Sequence, residues 1–429
     1  MTMRNKSYQL KKIKRVLSVI LAAAVTGIIS ALIADSLKVI TEHYEELFLH
    51  QINTSKYLIF MLPIVGLTMI HFLRYFIFRN KPNKGIREVL DTINYNGNTL
   101  PAYKIPSHYF NGFLTVIFGG STGVEVSTVV ATASVGALSS SKVQYLKKYK
   151  TNLVCAGLAA GVTALFNAPI AGFLFAFEVF TKRKSKLHTV CVLSAILTSY
   201  LFTKFFFFKQ VFQFNITEWQ MKAIPYFIVL GILSGFNSVY LTKSVLFFKS
   251  LFGKTDNVYL KIIGGSLLIS SLIFFYPALY GEGYAGIQEI IPLTPEFAVS
   301  VMLPMVILLL LKPIATSITL GAGGDGGVFA PSLFIGAFLG LVVCATLNHF
   351  FHLGLIPVNF IVIGMAAVLS GSIHAPFTAI FLVCAIVGNY VLFVPIIIAC
   401  LVSKWVAHLL FPFTVYTYKP VKITKRILA

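Results

Sequence analysis

The stretch Phe118-Gly-Gly-Ser-Thr-Gly-Val-Glu-Val-Ser-Thr-Val-Val130 decides how this chain is interpreted. It places one carboxylate, Glu125, between a group of glycines and a long apolar segment. A charge at membrane depth is costly, so such a residue usually faces a polar cavity and has a function. The glycines suit a chain that begins a new helix here, and the free N–H groups of a helix start form a seat for an anion. We therefore expect Glu125 to lie at an anion site and to compete with the anion for it.

The composition around this stretch is that of a protein with many membrane spans. Of the 429 residues, 57% are hydrophobic and only 11% are charged, which no ordinary soluble domain shows. Between Gly326 and Ser403 there is no Asp, Glu, Lys or Arg. One crossing needs about 20 apolar residues, so this segment holds several crossings or half-crossings. The net charge of +21 lies in short clusters beside apolar runs, which indicates cytoplasmic loops rather than nucleic-acid binding.

The order of the apolar runs predicts the topology. We expect a basic cytoplasmic tail over 1–15 and one transmembrane domain over 16–429, with a first repeat of about 16–210 and a second of about 211–411. The tail 412–429 is short, both termini are expected in the cytoplasm, and no cytoplasmic regulatory domain is expected. The predicted spans include Val16–Ala34, then an outside loop Asp35–Asn53, then Tyr57–Phe78, and later Leu187–Phe208, Pro225–Phe248, Leu260–Leu279 and Val299–Leu311.

An internal repeat is visible at nearly constant spacing. Gly123-Val-Glu-Val-Ser127 matches Gly327-Val-Phe-Ala-Pro331 at 204 positions, and Gly136 and Gly340 follow at the same spacing. Gly157-Leu-Ala-Ala160 with Asn167-Ala-Pro169 matches Gly364-Met-Ala-Ala367 with His374-Ala-Pro376 at 207 positions. Two helical halves with Gly-rich helix starts are typical of transporters built from inverted repeats.

These motifs resemble those of the CLC family of chloride channels and proton-coupled anion exchangers. The family pattern Gly-x-Phe-x-Pro is intact as Gly327-Val-Phe-Ala-Pro331, and Gly-Arg/Lys-Glu-Gly-Pro survives as Gly123-Val-Glu-Val-Ser127. The pattern Gly-Ser-Gly-Ile-Pro is worn to Asn83-Lys-Gly-Ile-Arg87, and Asn167-Ala-Pro-x-Ala-Gly172 matches a fourth landmark. The four landmarks occur in the family's order over nearly the whole chain.

The resemblance implies roles for specific residues. Glu125 matches the gating glutamate, and the main-chain N–H groups of Val328 and Phe329 match the central anion site. A C-terminal tyrosine should place its hydroxyl on the same anion, and Tyr416, Tyr418 and Lys422 all lie near that position. The other residues implied are those of the helix starts, Gly123, Val124, Val126, Gly327, Ala330 and Pro331, and those of the worn motif, Lys84, Gly85 and Ile86.

Two departures from the family pattern bear on the mechanism. Lys84 replaces a serine that contacts the central anion, and it either adds a full positive charge there or extends to the cytoplasmic face. Val179 stands where many exchangers carry an inner proton-transferring glutamate, which favours passive conduction.

Three further polar residues receive structural interpretations. We interpret Glu178 as an acid at a helix end, Asp325 as a helix cap, and His374 and His408 as isolated buried histidines.

The sequence therefore predicts an all-α polytopic membrane protein with two inverted-topology repeats and broken helices, in the cell (inner) membrane. We expect transport of a small inorganic anion, chloride first, with anion/proton antiport as the nearest alternative and protons as a second cargo. A fluoride-selective member and a cation-coupled solute carrier are further alternatives, and the family implies a homodimer. No enzyme activity, cofactor or metal site is predicted, because the five cysteines lie singly in apolar runs and no catalytic motif appears.

Overall fold

The computed structural model describes residues 3–81, 83–94, 100–180, 185–207, 210–291 and 299–418. Within these ranges the chain forms sixteen α-helices, no named strand, and several short 3₁₀ and π-helical turns. Eight helices are long and apolar enough to cross a membrane. The helices of the first half are α1 Met3–Thr54, α2 Leu58–Phe72, α3 Ile86–Asn94, α4 Lys104–Ile117, α5 Glu125–Ser141, α6 Lys150–Phe166, α7 Pro169–Phe175 and α8 Lys186–Phe206. Those of the second half are α9 Ile224–Gly253, α10 Val258–Phe275, α11 Tyr284–Ile290, α12 Val299–Ala322, α13 Phe329–Phe351, α14 Pro357–Ile373, α15 Pro376–Val387 and α16 Phe393–Leu410.

The first helix is much longer than the sequence suggested. The predicted outside loop Asp35–Asn53 is wrong, because α1 continues without a break to Thr54. No Gly or Pro lies between Gly27 and Thr54 to end the helix. Leu37 and Thr41 are buried at a spacing of four, so one face of the extension packs against the protein.

The helix α12 also exceeds its prediction. It was expected to end at Leu311 but continues to Ala322, and Lys312 is fully buried within it. The charge did not end the helix, since its ammonium group donates hydrogen bonds to the main-chain oxygen atoms of Leu279 and Gly281 inside the protein.

The same close helix contact occurs in both halves. A Cβ on Gly136 would lie 2.0 Å from the carbonyl oxygen of Leu153, and a Cβ on Gly340 would lie 1.9 Å from that of Phe360. Glycine is therefore needed where α5 crosses α6 and where α13 crosses α14. The repeated glycines of the sequence mark these two equivalent crossings.

Helices break at equivalent points as well. Asn167 ends α6 with φ of 49°, and Pro169 begins α7. His374 ends α14 with φ of 54°, and Pro376 begins α15. The predicted all-α architecture with interrupted helices in two halves is confirmed. The interpretation of His374 and His408 as isolated buried histidines is wrong, since their rings lie 5.5 Å apart and His408 is exposed. Sequence spacing could not reveal this contact between α14 and α16.

Candidate functional site

The two repeats meet at the starts of α5 and α13. Gly123 and Gly327 form an antiparallel bridge, in which the Gly327 N–H donates to the Gly123 carbonyl at 3.2 Å. Neither helix start has a side-chain cap. The free N–H groups and the positive dipole ends of both helices therefore converge on one place, as an anion site requires.

Glu125 is the first residue of α5 and is 3% exposed. Its Oε1 accepts a hydrogen bond from the Tyr284 hydroxyl at 3.1 Å. Oε2 has no hydrogen-bond partner among the described residues. The side chain of the first half thus contacts a tyrosine of the second half.

The position of this carboxylate depends on Gly123. A Cβ on Gly123 would lie 2.0 Å from Glu125 Oε2, so any larger residue would collide with the side chain in this position. The glycine of the motif is therefore needed for the folded-back carboxylate as well as for the bridge to Gly327.

Val328 and Phe329 are buried at the start of α13. The Val328 N–H donates to the Tyr416 hydroxyl at 3.4 Å, and Tyr416 is buried. The ring of Phe329 packs edge-on against Phe175 at 5.5 Å. The Tyr416 hydroxyl therefore lies at the Val328 N–H, a group that the family resemblance assigns to the anion site.

The other C-terminal candidates lie elsewhere. The carbonyl of Tyr418 accepts a hydrogen bond from Arg87 at 3.5 Å, and its ring stacks at 6.0 Å from that of Phe411. Lys422 lies outside the described residues. Of the two tyrosines that the sequence left open, the structure brings Tyr416 and not Tyr418 to Val328.

A cavity of about 1340 Å³ opens beside this site and is here called the basic vestibule. Val126, Val328 and Tyr416 line it, as do Gly85 and Ile86 of the worn motif. Lys84 is exposed there, so its side chain is in a water-accessible position. The charged residues of the lining are Arg74, Lys84, Arg87, Asp91, Lys249 and Asp325.

Asp325 is not the helix cap that the sequence suggested. Its carboxylate accepts a hydrogen bond from Asn83 at 2.7 Å and lies 3.2 Å from His108 and 3.8 Å from Arg74. Those partners all belong to the first half, so Asp325 ties the two repeats together at the vestibule. A capping role was wrong because these long-range partners, rather than local N–H groups, contact the carboxylate.

The structure also places the acid and the valine that follow α7. The Glu178 carboxylate accepts the N–H groups of Phe377 at 3.3 Å and Thr378 at 2.9 Å. It is a helix-end acid, although the helix that it caps is α15 of the other half. Val179 is a partly buried residue that packs against the main core.

Sequence reasoning missed a buried cluster of Glu45, Glu282 and Lys312 beside the gate candidate. Glu282 accepts the Val124 N–H at 3.0 Å, and its own N–H donates to Glu45 at 3.1 Å. Two signals were available, since Glu282 lies between two glycines and Lys312 interrupts an apolar run. Their proximity depends on contacts between α1, α5 and α12 that a sequence does not show.

A family model and individual relatives among known proteins agree on one family for this chain. A family model described as the voltage gated chloride channel matches residues 65–408. A ClcB-like chloride channel protein of Ralstonia nicotianae is 27% identical over 357 residues, which cover 80% of this chain and 80% of that protein. The H(+)/Cl(−) exchange transporter ClcA of Yersinia pestis is 28% identical over 272 residues, or 60% of this chain and 55% of its own length.

Two solved structures share the fold. A CLC-type fluoride/proton antiporter superposes with a TM-score of 0.77 and 23% identity, covering 93% of this chain and 97% of the other. A slow cyanobacterial Cl−/H+ antiporter gives a TM-score of 0.80 and 20% identity, covering 93% and 96%. At these identities the superpositions show that the arrangement of helices is shared.

Proposed function

Because this chain belongs to the CLC family of voltage gated chloride channels, whose members transport anions, we propose that it carries chloride across a membrane along a path gated by Glu125. The observation that supports this role is the position of the Glu125 carboxylate. It is buried at the seam of the two helix starts and accepts a hydrogen bond from Tyr284 of the opposite repeat. A carboxylate that fits a seat for anions competes with chloride for that seat.

The path is proposed to run from the basic vestibule through the seam. The vestibule concentrates anions by its positive charge, and the N–H groups of Val328 and Phe329 bind one anion in place of water. Main-chain donors supply partial charge, so the anion is held without being trapped. Tyr416 is the side chain that shares the Val328 N–H with the anion. Movement or protonation of Glu125 frees the position that its carboxylate occupies, so that an anion can bind there.

Passive conduction is the first form of this proposal. Val179 offers no proton acceptor at the position where exchangers of the family often have an acid. Glu178 next to it is engaged by three hydrogen bonds to Phe377 and Thr378, which fixes it as a structural residue. Neither residue supplies an inner route for protons.

Anion/proton exchange is the second candidate, and one observation favours it. Glu125 lies beside two further buried acids, Glu282 and Glu45, which are groups that can hold protons. The printed names of the ClcA relative and of both solved structures also describe exchange with protons, of chloride or of fluoride. Fluoride therefore belongs in the panel of anions to be tested.

The test is anion efflux from liposomes that contain the purified protein, with a chloride electrode and a pH electrode recorded together. Chloride efflux without proton movement supports conduction, and proton movement against a chloride gradient supports exchange. Replacing Glu125 with Ala removes the competing carboxylate, so we expect a changed chloride rate with no pH response and no proton coupling. A Glu125→Ala rate and pH response equal to those of the wild type would exclude the gate.

We also propose a homodimer in which each subunit holds its own path, as the family implies. Cross-linking in liposomes tests the dimer. Mixing Glu125→Ala and wild-type subunits tests the independence of the two paths, since independent paths predict a flux that is the weighted mean of the two.

A further inference from the structure

A second buried carboxylate lies at the start of α5, beside the proposed gate. Glu282 is 5% exposed, and its Oε1 accepts the N–H of Val124, the residue directly before Glu125, at 3.0 Å. The N–H groups at a helix start attract anions. Glu282 therefore occupies a main-chain donor of the same helix that carries the gate.

A third carboxylate holds Glu282 in place. The Glu282 N–H donates to Oε1 of Glu45, which is 9% exposed on α1. A Cβ on Gly281 would lie 2.0 Å from this oxygen, so the glycine makes the contact possible. Glu282 and Glu45 thus connect the start of α5 to α1.

The cluster and the gate together contain one basic side chain and three acidic ones, so the possible negative charge exceeds the positive charge. Lys312 is fully buried and influences Glu45, Glu282 and Glu125 electrostatically, but it forms no ion pair with them in the described chain. One ammonium group cannot neutralise three carboxylates in a medium of low dielectric constant. The cluster therefore retains protons that its members share. The other titratable groups that face it are Glu42, Glu46, Tyr280, Tyr284 and Tyr416.

We propose that Glu282, with Glu45 behind it, is the proton partner of Glu125 and exchanges protons between the gate and the membrane face where α1 ends. This inference rests on the proposed gating role of Glu125. In each step one proton leaves a carboxyl O–H and binds a neighbouring carboxylate oxygen, so no other reactant is consumed. The route lies opposite the basic vestibule, because α2 begins at Leu58 near the end of α1 and its π-helical continuation carries Arg74 into the vestibule lining.

The test is the pH dependence of chloride flux in liposomes over about pH 4 to about pH 8, where carboxyl groups near like charges titrate. Glu282→Gln preserves size and an acceptor for the Val124 N–H while removing the charge. A lost negative neighbour makes Glu125 harder to protonate, so the midpoint of the flux response should fall by about one pH unit. Glu45→Gln should lower the midpoint less, and Lys312→Met should raise it.

The matched comparison is Glu46→Gln, since Glu46 is exposed beside Glu45 on the same helix. Its midpoint should fall less than that of Glu45→Gln, because solvent screens an exposed charge. Unchanged midpoints in Glu282→Gln and Glu45→Gln would overturn the proposal, and so would a wild-type flux that does not respond to pH. If Glu282→Gln does not fold, the other two variants test the proposal. The midpoint should fall in Glu45→Gln and rise in Lys312→Met, and the absence of both shifts would contradict it.

The two proposals fail in different ways. Absence of any anion flux from the wild-type protein contradicts the proposed function itself. Flux that responds to Glu125→Ala but keeps its midpoint in Glu282→Gln and Glu45→Gln contradicts only the proton partnership.

Discussion

The starts of α5 and α13 have the same backbone arrangement, but the side chain at the equivalent position is charged in α5 and apolar in α13. Each follows a Gly-rich loop, neither has a side-chain cap, and the two are joined by the Gly123–Gly327 bridge. The first half contributes the carboxylate of Glu125, whereas the second contributes the apolar ring of Phe329 at the equivalent position. Both repeats therefore supply the positive field of peptide dipoles, but only the first supplies a carboxylate, the group that we propose competes with the anion.

The two sides of this seam differ as well. Basic residues dominate the vestibule, where Arg74, Lys84, Arg87 and Lys249 outnumber the acids Asp91 and Asp325. On the other side, Glu45 and Glu282 outnumber Lys312, and all three are buried. The charges therefore favour anions on one side and protons on the other, as the proposed proton partnership of Glu282 requires.

The largest expected effect tests whether the halves are equivalent in packing. Gly136→Ala and Gly340→Ala each place a Cβ about 2 Å from a carbonyl oxygen of the neighbouring helix. Both should destabilise the protein, by about 1–3 kcal/mol or more, since overpacked contacts cost this much. Thermal unfolding of the detergent-solubilised protein measures the loss.

The control for this pair is Gly264→Ala, because nothing lies within 4 Å of a Cβ added there on α10. It should unfold at or above the wild-type temperature, since alanine favours a helix. If one of Gly136→Ala and Gly340→Ala were tolerated and the other not, the two crossings would not be equivalent.

A smaller effect sharpens the comparison at the start of α13. Tyr416→Phe removes the hydroxyl beside the Val328 N–H and leaves the ring. A hydrogen bond contributes about 0.5–1.5 kcal/mol, so apparent chloride affinity should weaken by about 2- to 10-fold. The concentration dependence of chloride flux measures it.

Tyr418→Phe is the matched control, since the carbonyl of Tyr418, rather than its hydroxyl, accepts the hydrogen bond from Arg87. It should leave the affinity unchanged. A loss in Tyr418→Phe with none in Tyr416→Phe would mean that the other tyrosine serves the anion.

The smallest effect concerns the basic side of the seam. Lys84→Ser removes one exposed charge from the vestibule, so chloride flux at low ionic strength should fall by about twofold and recover in high salt. Flux and anion selectivity at several salt concentrations measure this. A change in selectivity that persists in high salt would instead favour direct contact between Lys84 and the bound anion.

The sequence was sufficient to predict the repeats because each rests on local signals. The glycines Gly136 and Gly340, and the breaks at Asn167 and His374, mark backbone constraints that only a few residue types satisfy. The motif around Glu125 likewise combined glycines with a charge in an apolar context. Such signals span only a few residues, so they can be recognised without knowing which helices lie nearby.

What the sequence could not predict depends on long-range contacts. Asp325 is of a residue type that commonly caps helices, but side chains of the first half contact its carboxylate instead. Glu282 and Lys312 come together beside Glu125 only because α1, α5 and α12 meet around them. The length of α1 was also missed, because polar residues near its end suggested a loop while its buried face favoured a helix.

The bridge between Gly123 and Gly327 has a consequence for how selectivity can change. Its donor and acceptor are peptide groups, which every amino acid except proline supplies regardless of its side chain. A mutation to any other residue at the centre therefore leaves these peptide groups in place and acts by crowding them, by removing the carboxylate or by altering the surrounding charges. Specificity for one halide over another must then be tuned from the periphery, through groups such as Tyr416 and the vestibule cations, while the peptide groups stay the same.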